Sequence, residues 1–136
     1  MSAIRNWKDR ETTDFILIHS TGHDDDEGTY EIRRQHLARG YLDIGYHFVV
    51  RRSGVIETGR IQSAPAGFPP KDSVAICLVG SEELTTEQGI ALRGLIAELM
   101  LEYPNATILP KCQFTNFEFN KENTNVSSDN TSDSNQ

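Results

Sequence analysis

At 136 residues the chain has the size of one domain, and 37% hydrophobic with 24% charged residues describes a globular fold with a core. Its 20 acidic against 13 basic side chains, a formal charge of −7, leave no basic footprint for nucleic acid. No apolar stretch approaches the ~18 residues of a membrane span, the first ten residues hold no signal-peptide apolar region, and Cys77 and Cys112 are too few to staple a secreted scaffold, so the expectation is a cytoplasmic protein.

In chain order, Phe15-Ile16-Leu17-Ile18 is a continuous apolar run, the pattern of a strand covered on both faces, and His19 stands at its C-terminal end. The loop from Ser20 to Gly28 carries four consecutive acids, Asp24 to Glu27. It lacks the alternating ligands of a calcium loop and reads as a solvated approach to a helix N-terminus. Thr29 is the expected N-cap; Ile32, His36 and Arg39 recur at helical spacing, and Gly40 supplies the stop. Tyr46 to Val50 predicts a second strand, Ser53-Gly54 a turn, and Val55 to Glu57 the hairpin partner. Prolines and a glycine make Ser63 to Asp72 a loop. Val74 to Val79 predicts another buried strand. Thr85-x-x-Gln88 is a capping box ahead of a helix whose Leu92, Leu95, Ile96, Leu99 and Met100 share one face, with Pro104 ending it. Thr107 to Leu109 is a last short strand.

The 17 residues from Asn120 to Gln136 include one apolar side chain, Val126, too little burial to offset their ordering entropy. The predicted organisation is therefore a domain over 1–119 and a disordered polar tail over 120–136. The element order predicts an α/β fold, a central mixed β-sheet flanked by helices.

Among residues able to carry chemistry, His19 comes first, because α/β sheets place ligands at the C-terminal ends of their strands. By position alone, a core-edge histidine satisfied by one hydrogen bond is the commoner case. Tyr46 reads either as a packing residue or as a hydrogen-bond donor near His19, and spacing leaves both open. His36 on a helix and His47 in a strand read as structural, and His23 as solvated. Cys77 reads as a buried small hydrophobe. Beside Cys112, Lys111 would lower the thiol pKa and make it a candidate nucleophile or metal ligand; the alternative is an inert loop cysteine.

Taken as an ordered series, the blocks Phe15-Ile-Leu-Ile-His19-Ser-Thr, Glu31-Ile-Arg-Arg-Gln-His36, Arg39-Gly-Tyr-Leu-Asp-Ile-Gly-Tyr46-His-Phe, Arg52-Ser-Gly-Val-Ile-Glu57-Thr-Gly-Arg60 and Ser73-Val-Ala-Ile-Cys-Leu-Val-Gly80 resemble the zinc-dependent N-acetylmuramoyl-L-alanine amidases. The resemblance is to the phage lysozyme or endolysin branch, related to peptidoglycan-recognition proteins, and covers Phe15 to Leu109. It implies the amidase fold and hydrolysis of the amide between N-acetylmuramic acid and L-alanine in bacterial peptidoglycan. It implies a Zn2+ site to which His19 supplies the first ligand, with Tyr46 as a catalytic residue. The family's second histidine would follow the last strand, yet no histidine occurs after His47. With one residue deleted, Lys111 and Cys112 fall on the family's assisting lysine and its cysteine ligand. Without the deletion, Lys111 takes the place of the second histidine and Phe119 that of the cysteine. His23 or a loop acid is the substitute third ligand left in the chain. The family's loop histidine is likewise replaced, by Ser63-Ala-Pro65-Ala-Gly67.

Two functions follow from the resemblance. One is an endolysin that accumulates in the host cytoplasm and reaches the wall later. The other is a non-catalytic member that binds peptidoglycan or a protein, as phage members that inhibit the phage RNA polymerase do.

Overall fold

The computed structural model describes residues 8–119, so the expected disordered tail lies outside the described residues. Among these residues five strands and two helices follow in the order β1 (Phe15–Ser20), α1 (Thr29–Ala38), β2 (Phe48–Val50), β3 (Ile56–Thr58), β4 (Ser73–Leu78), α2 (Thr86–Glu102) and β5 (Thr107–Pro110). They form one mixed sheet in the order β3-β2-β4-β1-β5. β4 pairs in parallel with β1 and β2, β1 in parallel with β5, and only the β2–β3 hairpin is antiparallel.

The period-two alternation of strand side chains sorts the core into two layers. Ile16, Ile18, Val50, Val74, Ile76 and Leu78 point to one face and pack against Leu92, Leu95, Ile96 and Leu99 of α2. Leu17, Val49, Ala75 and Cys77 point to the other, where Ile32 of α1 covers them. Every residue of β4 is buried, as expected for the strand at the centre of a sheet covered on both sides. This is the α/β architecture the sequence predicts.

Of the boundaries that differ from the sequence expectation, three belong to α1 and to the β2–β3 hairpin. The N-cap of α1 is Gly28, not Thr29. Glu57, a residue of β3, takes the Thr29 N–H at 2.8 Å, and Glu31 takes the Gly28 N–H at 2.9 Å. A side chain on residue 28 would place its Cβ 2.5 Å from that Glu57 oxygen, so the cap is a glycine and the carboxylate comes from elsewhere. The hairpin sits one residue later than predicted, because Arg51 and Val55 close the turn with an N–H to C=O bond of 2.9 Å. β2 itself starts at Phe48, with Tyr46 and His47 leading into it.

The acidic loop is less solvated than predicted. Asp26 pairs with Arg51 at 3.2 Å and accepts the Arg52 N–H, while Asp24 accepts the Ser81 N–H at 3.0 Å. Asp25 alone follows the expectation closely, its side chain 92% exposed. Cys77 is buried, as expected.

Candidate functional site

His19 lies near the C-terminal end of β1, and the alternation that sends Ile18 toward α2 sends His19 to the α1 side. There its Nδ1 lies 3.1 Å from the Tyr46 hydroxyl. Phe68 closes the group, its ring centroid 5.0 Å from those of both His19 and Tyr46. Burial, and then the charge of Lys111, push the His19 pKa below its ordinary value of 6.5 and favour a neutral ring. Burial, and then the neighbouring Cys77 thiol, push the Tyr46 pKa well above its ordinary value. Tyr46 is thus a hydroxyl throughout the physiological range, a donor and not a phenolate.

Behind this pair, His36 on α1 is buried and accepts the Gly45 N–H at 2.9 Å, which fixes the strand entry that presents Tyr46. Burial, Arg39 and Arg60 lower its pKa to about 4. His47, one residue beyond Tyr46, accepts the Ala75 N–H at Nδ1 and so carries its proton on Nε2, which donates to the Ala64 carbonyl at 2.9 Å. Both are structural, as predicted, and both hold Tyr46 by its neighbours. Beside Tyr46 a cavity of about 150 Å³ is lined by His23, Glu27, His36 and Cys77 among others. His23 faces Glu27 at 3.6 Å and Asp25 at 3.9 Å.

Phe68 was not legible as a site residue. It is the one aromatic in a loop dominated by Pro65, Pro69 and Pro70, and that isolation was the available signal. Its seat depends on two glycines. A Cβ on Gly45 would lie 2.5 Å from the Phe68 ring, and one on Gly67 2.5 Å from the Gly45 Cα.

The two residues after β5 part company. The Lys111 N–H donates to the Ile18 carbonyl at 2.8 Å, extending the edge of the sheet alongside His19, on whose ring its charge acts. Cys112 turns the other way. It packs on the α2-side core, with its Sγ 3.8 Å from the Ile18 carbonyl oxygen. The thiolate expected from a neighbouring lysine is not formed: burial pushes the Cys112 pKa up to about 11. Lys111 and Cys112 are consecutive, and in extended chain consecutive side chains point to opposite faces.

A family model described as N-acetylmuramoyl-L-alanine amidase matches residues 9–126. The chain belongs to the N-acetylmuramoyl-L-alanine amidase family. Its curated relatives include the endolysin of Enterobacteria phage K11, 36% identical over an alignment of 121 residues that covers 80% of each chain. The endolysin of Klebsiella phage KP32 is 37% identical over 113 residues, 74% of this chain and 75% of the relative. Among solved structures, the amidase LysC from Clostridium intestinale superposes with a TM-score of 0.66 at 29% identity, covering 77% of each chain. Drosophila PGRP-LB shares the fold, with a TM-score of 0.65 at 24% identity over 76% of this chain and 71% of that one. The K11 and KP32 relatives are thus phage endolysins, and the fold of this chain is that of peptidoglycan-recognition proteins. No helix among the described residues is long and apolar enough to cross a membrane.

Amidases of this family are generally zinc-dependent, and a catalytic zinc takes three protein ligands with a fourth position left open. Among the described residues of this amidase, no three His, Cys, Asp or Glu side chains are placed so that they could hold a metal ion. The groups in contact with His19 are the Tyr46 hydroxyl and the Phe68 ring, with the charge of Lys111 acting on it from the chain after β5, and this set does not fit a zinc ion.

Proposed function

We propose that this amidase acts on bacterial peptidoglycan as a phage endolysin, hydrolysing the amide that joins N-acetylmuramic acid to L-alanine. The observation that carries the proposal is the His19–Tyr46 pair, joined at 3.1 Å at the C-terminal edge of the parallel strands in a chain of this family. The pair supplies what amide hydrolysis needs at neutral pH. Neutral His19 accepts a proton from an attacking water. The Tyr46 hydroxyl and the Lys111 ammonium stabilise the oxyanion that forms when water adds to the carbonyl carbon. The C–N bond then breaks, and the proton passes to the amine of L-alanine. Such acid–base help contributes about 10²–10⁴-fold, without the polarisation that a bound metal ion adds. The expected rate is therefore below that of relatives with a complete metal site.

The test is the appearance of new L-alanine amino termini when purified chain is incubated with peptidoglycan sacculi. The proposal expects their release by the parent chain and its loss in His19→Ala. A chain that sediments with sacculi but releases nothing, or that binds a phage RNA polymerase instead, would overturn it in favour of a binding or regulatory module.

A further inference from the structure

We infer that the His19 centre of this chain retains no zinc ion of its own, because Lys111 holds the place of a second ligand and Cys112 faces away from it. The inference rests on reading the His19 pocket as the centre that hydrolyses the amide.

Several observations carry it. Among the described residues β5 is the edge strand next to β1, and the chain leaving it runs beside His19, where the Lys111 N–H binds the Ile18 carbonyl. The side chain delivered there is an ammonium, which donates three hydrogen bonds, accepts none and repels a dication. The next residue could have supplied a thiolate, yet the Cys112 sulfur packs on the α2-side core. His19 lies on the α1 side with Tyr46 and Phe68. Repositioning the thiol would mean reversing the alternation of the chain after β5, which would move Lys111 off the His19 face and expose Cys112 from a half-buried place. Finally, of the imidazoles lining the cavity beside Tyr46, His23 lies 3.6 Å from Glu27 and 3.9 Å from Asp25, and His36 accepts the Gly45 N–H at its Nδ1. Beyond Phe119 the sequence holds neither histidine nor cysteine. Among the described residues no three His, Cys, Asp or Glu side chains at this centre are placed to hold a metal ion, where a catalytic zinc takes three protein ligands.

The experiment loads the purified full chain with excess zinc, desalts it, and measures metal per protein alongside release of L-alanine amino termini with zinc supplied. The expected result is well under one zinc per chain, unchanged in Cys112→Ser. In Lys111→His, which places a second imidazole beside His19, retention is expected to tighten by about tenfold, the scale on which a supporting residue alters metal affinity. One zinc per chain that disappears in His19→Ala overturns the inference. So does a loss of metal in Cys112→Ser, or a Lys111→His chain that stays folded by circular dichroism and gains no affinity. The two readings fail separately. A chain that retains no zinc and releases no peptide supports this inference and overturns the hydrolytic one. A chain that retains zinc and releases peptide does the reverse.

Discussion

The hydroxyl of Tyr46 is the group whose removal isolates one contribution at the site. Tyr46→Phe keeps the ring among Phe68, His36 and His19 and deletes the oxygen 3.1 Å from His19 Nδ1. A preorganised donor of this kind is worth about 10²–10³-fold in rate, so release of L-alanine termini should fall by about 100-fold with little change in melting temperature. A variant that loses activity only because it melts earlier would contradict this role. At this scale the places of His19 at the end of β1 and of Tyr46 ahead of β2 were legible from hydrophobic patterning, whereas their roles were not, since spacing left Tyr46 open between packing and hydrogen bonding. The facing of Lys111 and Cys112 was not legible. It depends on whether the chain stays extended past Pro110, and a one-residue slip exchanges the two side chains between faces. The acidified thiol inferred from a neighbouring lysine failed for the same reason, since adjacent residues in extended chain do not share an environment.

The two helices show which caps a sequence reveals. α2 starts on a box closed within four residues: Thr85 accepts the Gln88 N–H at 3.0 Å and Gln88 accepts the Thr85 N–H at 2.9 Å. Thr85 also donates to the Arg52 carbonyl at 2.7 Å, tying the helix to the start of the β2–β3 turn. Thr85→Ala should therefore cost about 1–2 kcal/mol, read as a lower urea midpoint at unchanged slope; a cost near zero would mean that water replaces the hydroxyl freely. Gln88 is fully buried and its amide donates to the Val50 and Val79 carbonyls, so Gln88→Ala leaves several partners unsatisfied and should cost more than the Thr85 change. α1 could not be read in this way. Its acceptor is Glu57, 28 residues downstream, and the carboxylate reaches the helix only because the hairpin folds back across it. Local capping chemistry is written locally, whereas a cap lent by a strand is a property of the tertiary fold.

For the molecule as a whole, the two core layers on either side of β4 were legible from apolar runs and helical spacing, and they fix a consequence for acid stability. His47 lies in the α1-side layer with 1% of its surface exposed, and His36 with 5%. Burial is the leading cause that lowers both to about 4, against 6.5 for a free imidazole. Between those values the unfolded chain binds protons that the folded chain refuses, so stability falls as pH drops below 6.5 and levels off near 4. Each histidine contributes a slope of at most about 1.4 kcal/mol per pH unit. The carboxylates do not obscure the upper part of this window. Hydrogen bonds from Arg51, Thr29 and Gly28 hold Asp26, Glu57 and Glu31 below their ordinary values, so their own losses come at lower pH. Asp14, raised by Asp72, acts in the opposite direction from an exposed position. Melting temperature measured from pH 7 down to 4.5 should therefore fall steadily. Replacing His47 with glutamine removes one titrating ring while leaving an amide to bridge Ala64 and Ala75, and this should flatten the slope even though the variant starts from a lower melting temperature. A parent chain whose melting temperature is constant across that range would show that these two rings are charged in the folded state, against the neutral hydrogen-bonding roles that His47 and His36 play between Ala75, Ala64 and Gly45.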